Sequence, residues 1–134
     1  MGELADIAKT YTKNRIGVTF GLTHDRLPPN GIKTVTRRKW AQKHFMTMTR
    51  YMKTGDVLPV FDKSPRTGNA KQLGWMRIIA IRKEPLSKLN KSEVALEGYP
   101  EMDTMEFVKK FFPGESLNNE VIRVEFEFEP LALN

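Results

Sequence analysis

The chain has 134 residues, enough to bury the core of one domain and too few for two, and its 40% hydrophobic and 28% charged residues are a globular balance that excludes a disordered segment. It contains no cysteine and only two histidines, His24 and His44. That excludes a disulfide framework, a thiol nucleophile and a thiolate zinc site, so neither a metal nor a cofactor is expected.

The N-terminal stretch has no apolar run of signal type, and nowhere does an apolar segment approach the roughly 20 residues of a membrane span. A cytoplasmic protein with no membrane contact is expected. Within residues 1–13, Leu4, Ile7, Ala8 and Tyr11 fall at i, i+3, i+4 and i+7, the spacing of a short amphipathic helix lying on the single domain expected over 1–134. Val18, Phe20 and Leu22 alternate with Gly17, Thr19 and Gly21 and predict a first strand; LPPNG, Leu27 to Gly31, then forces a turn. Thr34 to Arg38 is β-branched and extended in character, a second strand, and Ala41 to Met52 reads as a helix ended by KTGD.

Asp56 to Phe61 is a third strand in which Pro59, lacking a ladder donor, argues for an edge or a bulge. A polar loop, Lys63 to Lys71, follows. Leu73 to Arg82 places Trp75, Ile79 and Ile81 on one face and Met76, Ile78 and Ala80 on the other, a strand covered on both sides. Asn90 to Glu97 is a short helix stopped by Gly98 and Pro100, and Thr104 to Phe112 another, capped by Asp103 or Thr104. Ile122, Val124, Phe126 and Phe128 alternate with Arg123, Glu125, Glu127 and Glu129, giving a strand with one buried and one wet face. The buried set is expected to share a core with Val18, Phe20, Trp75 and Ile79. About five strands with interleaved short helices point to a small, partly closed α+β barrel.

Charge is unevenly spread. The net charge is +6, but residues through Arg66 hold 13 Lys and Arg against 5 Asp and Glu, net +8, while the remainder is net −2. The segment GIKTVTRRKW, Gly31 to Trp40, packs four cations into ten residues. Cations that can face one anion together bind phosphate far better than the same number scattered, so Arg37, Arg38, Lys39, Lys63 and Arg66 are candidate contacts to RNA or to a nucleotide. Extended backbone would send Arg37 and Arg38 to opposite faces. Trp40 and Trp75 read as core residues, and His24 and His44 as turn or surface residues.

KTVTRR at 33–38, TGDVLPVFDKSPR at 54–66, RKEPLS at 82–87, and LEGYPEM with EFV across 96–108 together resemble the ASCH domain, a branch of the PUA-like superfamily, over about Gly17 to Phe128. The resemblance implies a small mixed β-barrel with a cleft, and partners among RNA and modified nucleosides or nucleotides. One branch it is similar to consists of amidohydrolases that remove an acetyl group from the exocyclic amine of acetylated cytidine. Those enzymes are associated with a Lys, a Thr three residues later and a Glu on a later helix; Lys33, Thr36 and Glu97 match here. The chain adds Arg38, Lys39, Trp40 and the loop DKSPRTGNAK to that pattern.

Amide hydrolysis needs a nucleophile, a group to take its proton and a group to return one to the leaving amine. Lys33 serves as a base only with its pKa below the ordinary range, a direction in which neighbouring cations push it and an ionised Glu97 opposes. In a regular strand Lys33 and Thr36 project to opposite faces, so both serve one cleft only if Lys33 lies in the turn or at a bulge. The expected function is recognition of RNA or a nucleoside in a basic cleft by a monomer, with amidohydrolysis as the alternative and protein interaction through the N-terminal helix or basic face as the third.

Overall fold

Alternating apolar residues join the strands into one sheet, and short helices cover what the sheet leaves exposed. In chain order the elements are helix α1 (Glu3–Lys9), strands β1 (Val18–Thr19), β2 (Val35–Arg38), β3 (Val57–Phe61) and β4 (Gln72–Pro85), helices α2 (Lys91–Leu96) and α3 (Thr104–Phe111), and strand β5 (Glu120–Pro130). Single 3-10 turns lie at His24–Arg26 and Leu86–Lys88. The structure is a computed structural model and describes residues 2–9, 17–21, 23–40, 46, 48, 52–64 and 68–131. Leu22, most of the expected helix Ala41 to Met52, and Pro65 to Thr67 of the polar loop lie outside the described residues.

The sheet runs β1-β3-β4-β5-β2, with β1 parallel to β3 and every other pair antiparallel, and it curls into a half-barrel, the α+β architecture expected. Pro59 fits because β1 is short: its pairing begins at Val60, so the β1 side of β3 carries no ladder at the proline. The two edges, β1 and β2, are linked by a side chain, Arg38 Nη2 donating to the Thr19 carbonyl at 2.7 Å. One edge carbonyl of the open barrel is thereby satisfied.

The main core fills the concave face with Val18, Phe20, Leu58, Val60, Met76, Ile78, Ile122, Val124 and Phe126, joined by Met48 and Met52. Phe128 packs against it. Trp75 and Ile79 depart from expectation. Trp75 packs instead with Leu4, Ala8 and Val57 beneath α1, and Ile79 is exposed. Trp75 has the parity opposite to Met76 and Ile78, which face the core, and at Ile79 a register shift against β5 between Ile78 and Ala80 inserts an extra residue, so that Ile81 returns to the core face.

The wet face of β5 is also drier than its alternation implies. Arg123 is buried against Glu93 of α2, and Glu129 accepts from the Leu4 and Ala5 amides at 2.9 and 3.0 Å, satisfying the first turn of α1. A second cluster packs α2 and α3 on the sheet end through Leu86, Leu89, Val94, Tyr99, Phe107, Val108 and Val121. Asn90 caps α2 by accepting from the Glu93 amide, and Asp103 with Glu106 forms a capping box on α3, which decides the choice between Asp103 and Thr104.

Candidate functional site

The site begins with the strip between the Leu27–Gly31 turn and β2. Lys33 N donates to Arg26 O at 2.8 Å, Thr34 N to Leu96 O at 2.8 Å, and Phe126 N to Thr34 O at 2.9 Å, so this strip is pinned between the end of α2 and β5. Lys33 thus lies before the strand, and both its side chain and that of Thr36 reach one cleft. Gly98, just past α2, has φ +106°, and a Cβ there would come within 2.7 Å of Arg26 Cβ and 3.1 Å of Lys33 Cβ. Only glycine lets the helix end close on the lysine.

Lys33 is almost fully buried, and its ammonium donates to Val35 O and Glu97 O, each at 2.9 Å, and to Glu97 Oε1 at 3.1 Å. Glu97 is the C-cap of α2, so the cation also meets the negative end of that helix. Burial pushes the Lys33 pKa below its ordinary value against the opposing pull of Glu97, and Arg38 and Arg37 add to the lowering. Glu97 Oε2 accepts from Arg37 Nη1 at 3.0 Å, and Arg37 Nη2 reaches Glu84 Oε2 at 3.0 Å and Glu93 Oε1. Arg123 Nε donates to the same Glu93 oxygen at 2.7 Å. Burial works against the Arg37 charge, but three carboxylates outweigh it.

Arg38 takes the opposite side of β2. Its Nε donates to Thr36 Oγ1 at 3.1 Å and its guanidinium lies 4.8 Å from the centre of the Phe20 ring. Burial lowers its pKa to about 10, with Glu97 opposing. Lys39 pairs with Glu115, which follows α3, and Asn119 Nδ2 donates to the other Glu115 oxygen at 2.7 Å. Phe20, Phe107, Phe111 and Phe112 supply apolar wall, and the cleft encloses about 490 Å³. Among the described residues no group of three or more His, Asp or Glu side chains is placed to hold a metal ion.

Lys33, Thr36, Arg37, Arg38, Lys39 and Glu97 therefore line one cleft. Lys63 is exposed beyond β3 and is not part of its wall, and Arg66 lies outside the described residues. Sequence reasoning missed Glu84, Glu93 and Glu115, the carboxylates that hold Arg37 and Lys39, and Arg123, which shares Glu93 with Arg37. Two signals were present: Glu93 stands four residues before Glu97 on the same helix face, and Glu84 interrupts the cations of RKEPLS.

No family model and no curated protein matches the chain. Solved structures do. The crystal structure of a DUF984 protein from Enterococcus faecalis V583 superposes with a TM-score of 0.60 at 14% identity, over 93% of this chain and 82% of that one. A mutant form of ZmASCH from Zymomonas mobilis superposes with a TM-score of 0.53 at 14% identity, over 87% of this chain and 74% of that one. Five curled strands in the order described, short helices at one end and these two likenesses identify the fold of the chain as that of an ASCH-like domain, a small α+β architecture of PUA-like type.

Proposed function

We propose that the cleft recognises one nucleobase with its sugar, presented as a modified nucleoside or nucleotide or as an unstacked base of RNA. The observation that supports this is the meeting of Lys33, Thr36 and Glu97 in an aromatic-walled cleft of about 490 Å³, within the range of small-molecule sites. Phenylalanine rings offer stacking surface, Arg38 offers a donor to base carbonyls, Thr36 offers both donor and acceptor, and Lys33, its three donors taken within the protein, fixes Glu97 at the polar centre. The charge balance favours base and sugar over phosphate: Lys33, Arg37 and Lys39 each already face a carboxylate.

Titration calorimetry with cytidine, and with cytidine acetylated on its exocyclic amine, tests the reading. Saturable binding of at least one, weakened about tenfold in Thr36→Val, which keeps the side-chain shape and removes the hydroxyl, is expected. Absence of saturable binding by both overturns it.

Hydrolysis of an N-acyl nucleoside is the second reading, favoured by the lowered pKa of Lys33. Thr36 would add its oxygen to the acyl carbon, Lys33 would take the hydroxyl proton and pass it to the leaving amine, and water would then release the acyl group. Turnover by this route rises with pH as Lys33 becomes neutral.

A further inference from the structure

The Arg37 network has a second side. Glu84 and Glu93, which hold Arg37 from behind the cleft, also line a groove of about 530 Å³ where β4 passes through the Leu86–Lys88 turn into α2. The rest of its wall is Arg82, Lys83, Pro85, Lys88, Asn90 and Ser92. None of these lines the cleft, and neither Arg37 nor Glu97 lines the groove. The guanidinium of Arg37 thus lies between two separate openings.

The two groove carboxylates are committed to the protein itself. Glu84 Oε1 accepts from Arg82 Nε at 2.9 Å and its Oε2 from Arg37 at 3.0 Å. Glu93 Oε1 serves both Arg37 and Arg123, and its Oε2 accepts from Arg123 Nη2 at 3.3 Å. The groove wall itself carries three cations, Arg82, Lys83 and Lys88, against these two carboxylates, a net of +1; Arg37 and Arg123 behind it are balanced in turn by Glu97 and Glu125.

Donors remain on the open side. Arg82 uses only Nε within the protein, so both terminal nitrogens of its half-exposed side chain have no partner among the described residues. The other exposed or half-exposed arginines among the described residues each use at least one terminal nitrogen: Arg26 Nη1 on Glu101, Arg38 Nη2 on the Thr19 carbonyl and Arg77 Nη2 on Glu127. Lys88 is exposed and likewise has no partner among the described residues. Asn90 directs its side-chain oxygen at Ser92 and the Glu93 amide, which leaves its Nδ2 as a further donor.

An arginine fork, a lysine point charge and a neutral amide beside a surplus of positive charge are the donor set for a tetrahedral oxyanion carrying a second charge. We propose that this groove is a second binding site, which takes a phosphate group on Arg82 and Lys88 with Asn90 as a neutral donor. The groove is larger than one phosphate fills, leaving room for the molecule that carries it.

The test is a titration of the full chain with inorganic phosphate, replacing chloride at constant ionic strength and following backbone amide resonances. Saturable shifts confined to residues 82–93 are expected. Lys88→Ala, and separately Arg82→Ala, should each weaken binding about tenfold while the circular dichroism spectrum stays that of the parent. Lys88→Ala carries the decision if Arg82→Ala disturbs the fold, because Lys88 is exposed and has no partner among the described residues. Shifts that do not saturate, that spread over the whole basic surface, or that persist at parental affinity in Lys88→Ala overturn the site.

Two further probes separate the sources of the phosphate. Uridine 5′-monophosphate binding as tightly as a short oligouridylate supports a small phosphorylated ligand. An oligouridylate that binds more tightly, with a salt slope reduced by about 0.7 in Lys88→Ala, supports the backbone of a single strand.

Discussion

Lys33 Nζ and Glu97 Oε1 stand 3.1 Å apart although 64 positions separate the two residues in the chain. Their side chains are 2% and 4% exposed. The pair is where the strip before β2 meets the end of α2, so one contact both closes the fold at that point and sets the polar centre of the cleft. Arg37 on the other Glu97 oxygen makes the carboxylate the shared partner of two buried cations.

That sharing predicts an asymmetry between two substitutions. Glu97→Gln leaves Lys33 and Arg37 facing a neutral amide and should cost about 3–5 kcal/mol, the usual penalty for stranding buried charge. Lys33→Met removes one cation, leaves Glu97 paired with Arg37, and should cost less. Urea unfolding of the two variants checks the order, and a Lys33→Met loss equal to or greater than that of Glu97→Gln contradicts it.

Acid should find the glutamates behind Arg37. Burial raises the Glu84 pKa, but bonds from Arg82 and Arg37 outweigh it and hold the group below its ordinary value of 4.5. Glu93 is held below the same value first by Arg123, against burial, and then by Arg37. Because the folded values are depressed, the stability these groups contribute is complete above 4.5 and is lost as pH falls through the lower folded values. The thermal midpoint should drop over that acid range. Glu93→Gln should lower it at neutral pH and flatten the acid slope; an unchanged slope in that variant would show that Glu93 is not a source of it.

Salt dependence measures how much of the basic run is open to phosphate. Were Arg37, Arg38, Lys39, Lys63 and Arg66 all to contact a strand, the log-log slope for single-stranded RNA would approach about 3.5. Arg37 is committed to three glutamates and Lys39 to Glu115. Of the five, that leaves Arg38 on the cleft wall, so binding of an oligonucleotide confined to the cleft should show a slope of about 0.7 in fluorescence anisotropy at several chloride concentrations. A slope near the full value would mean that the ion pairs open to the strand.

Periodicity made much of the fold legible. The alternation over Ile122 to Phe128, the two short helices with their stops, and the proline in β3 all report local physics, and each element stands where it was expected. Ile79 was not legible because a one-residue register shift leaves little trace in composition yet flips every side chain beyond it. The cleft divides in the same way. The Lys33 to Thr36 spacing and its turn were readable, whereas Glu84, Glu93 and Glu115 lie 47, 56 and 76 positions from the cations they neutralise. The +8 excess of the first half looks like open charge in the sequence because the partners of Arg37 and Lys39 sit in the other half. Pairing across that distance is set by the sheet order, which no local signal carries.

The account rests on Lys33, and the most direct measurement compares the parent with Lys33→Ala in the presence of cytidine acetylated on its exocyclic amine. Calorimetry gives the affinity, chromatography follows loss of the acetyl group, and a retained circular dichroism spectrum confirms the fold. Affinity about tenfold weaker in Lys33→Ala is predicted, with any turnover abolished. Parental affinity and turnover in Lys33→Ala would contradict it.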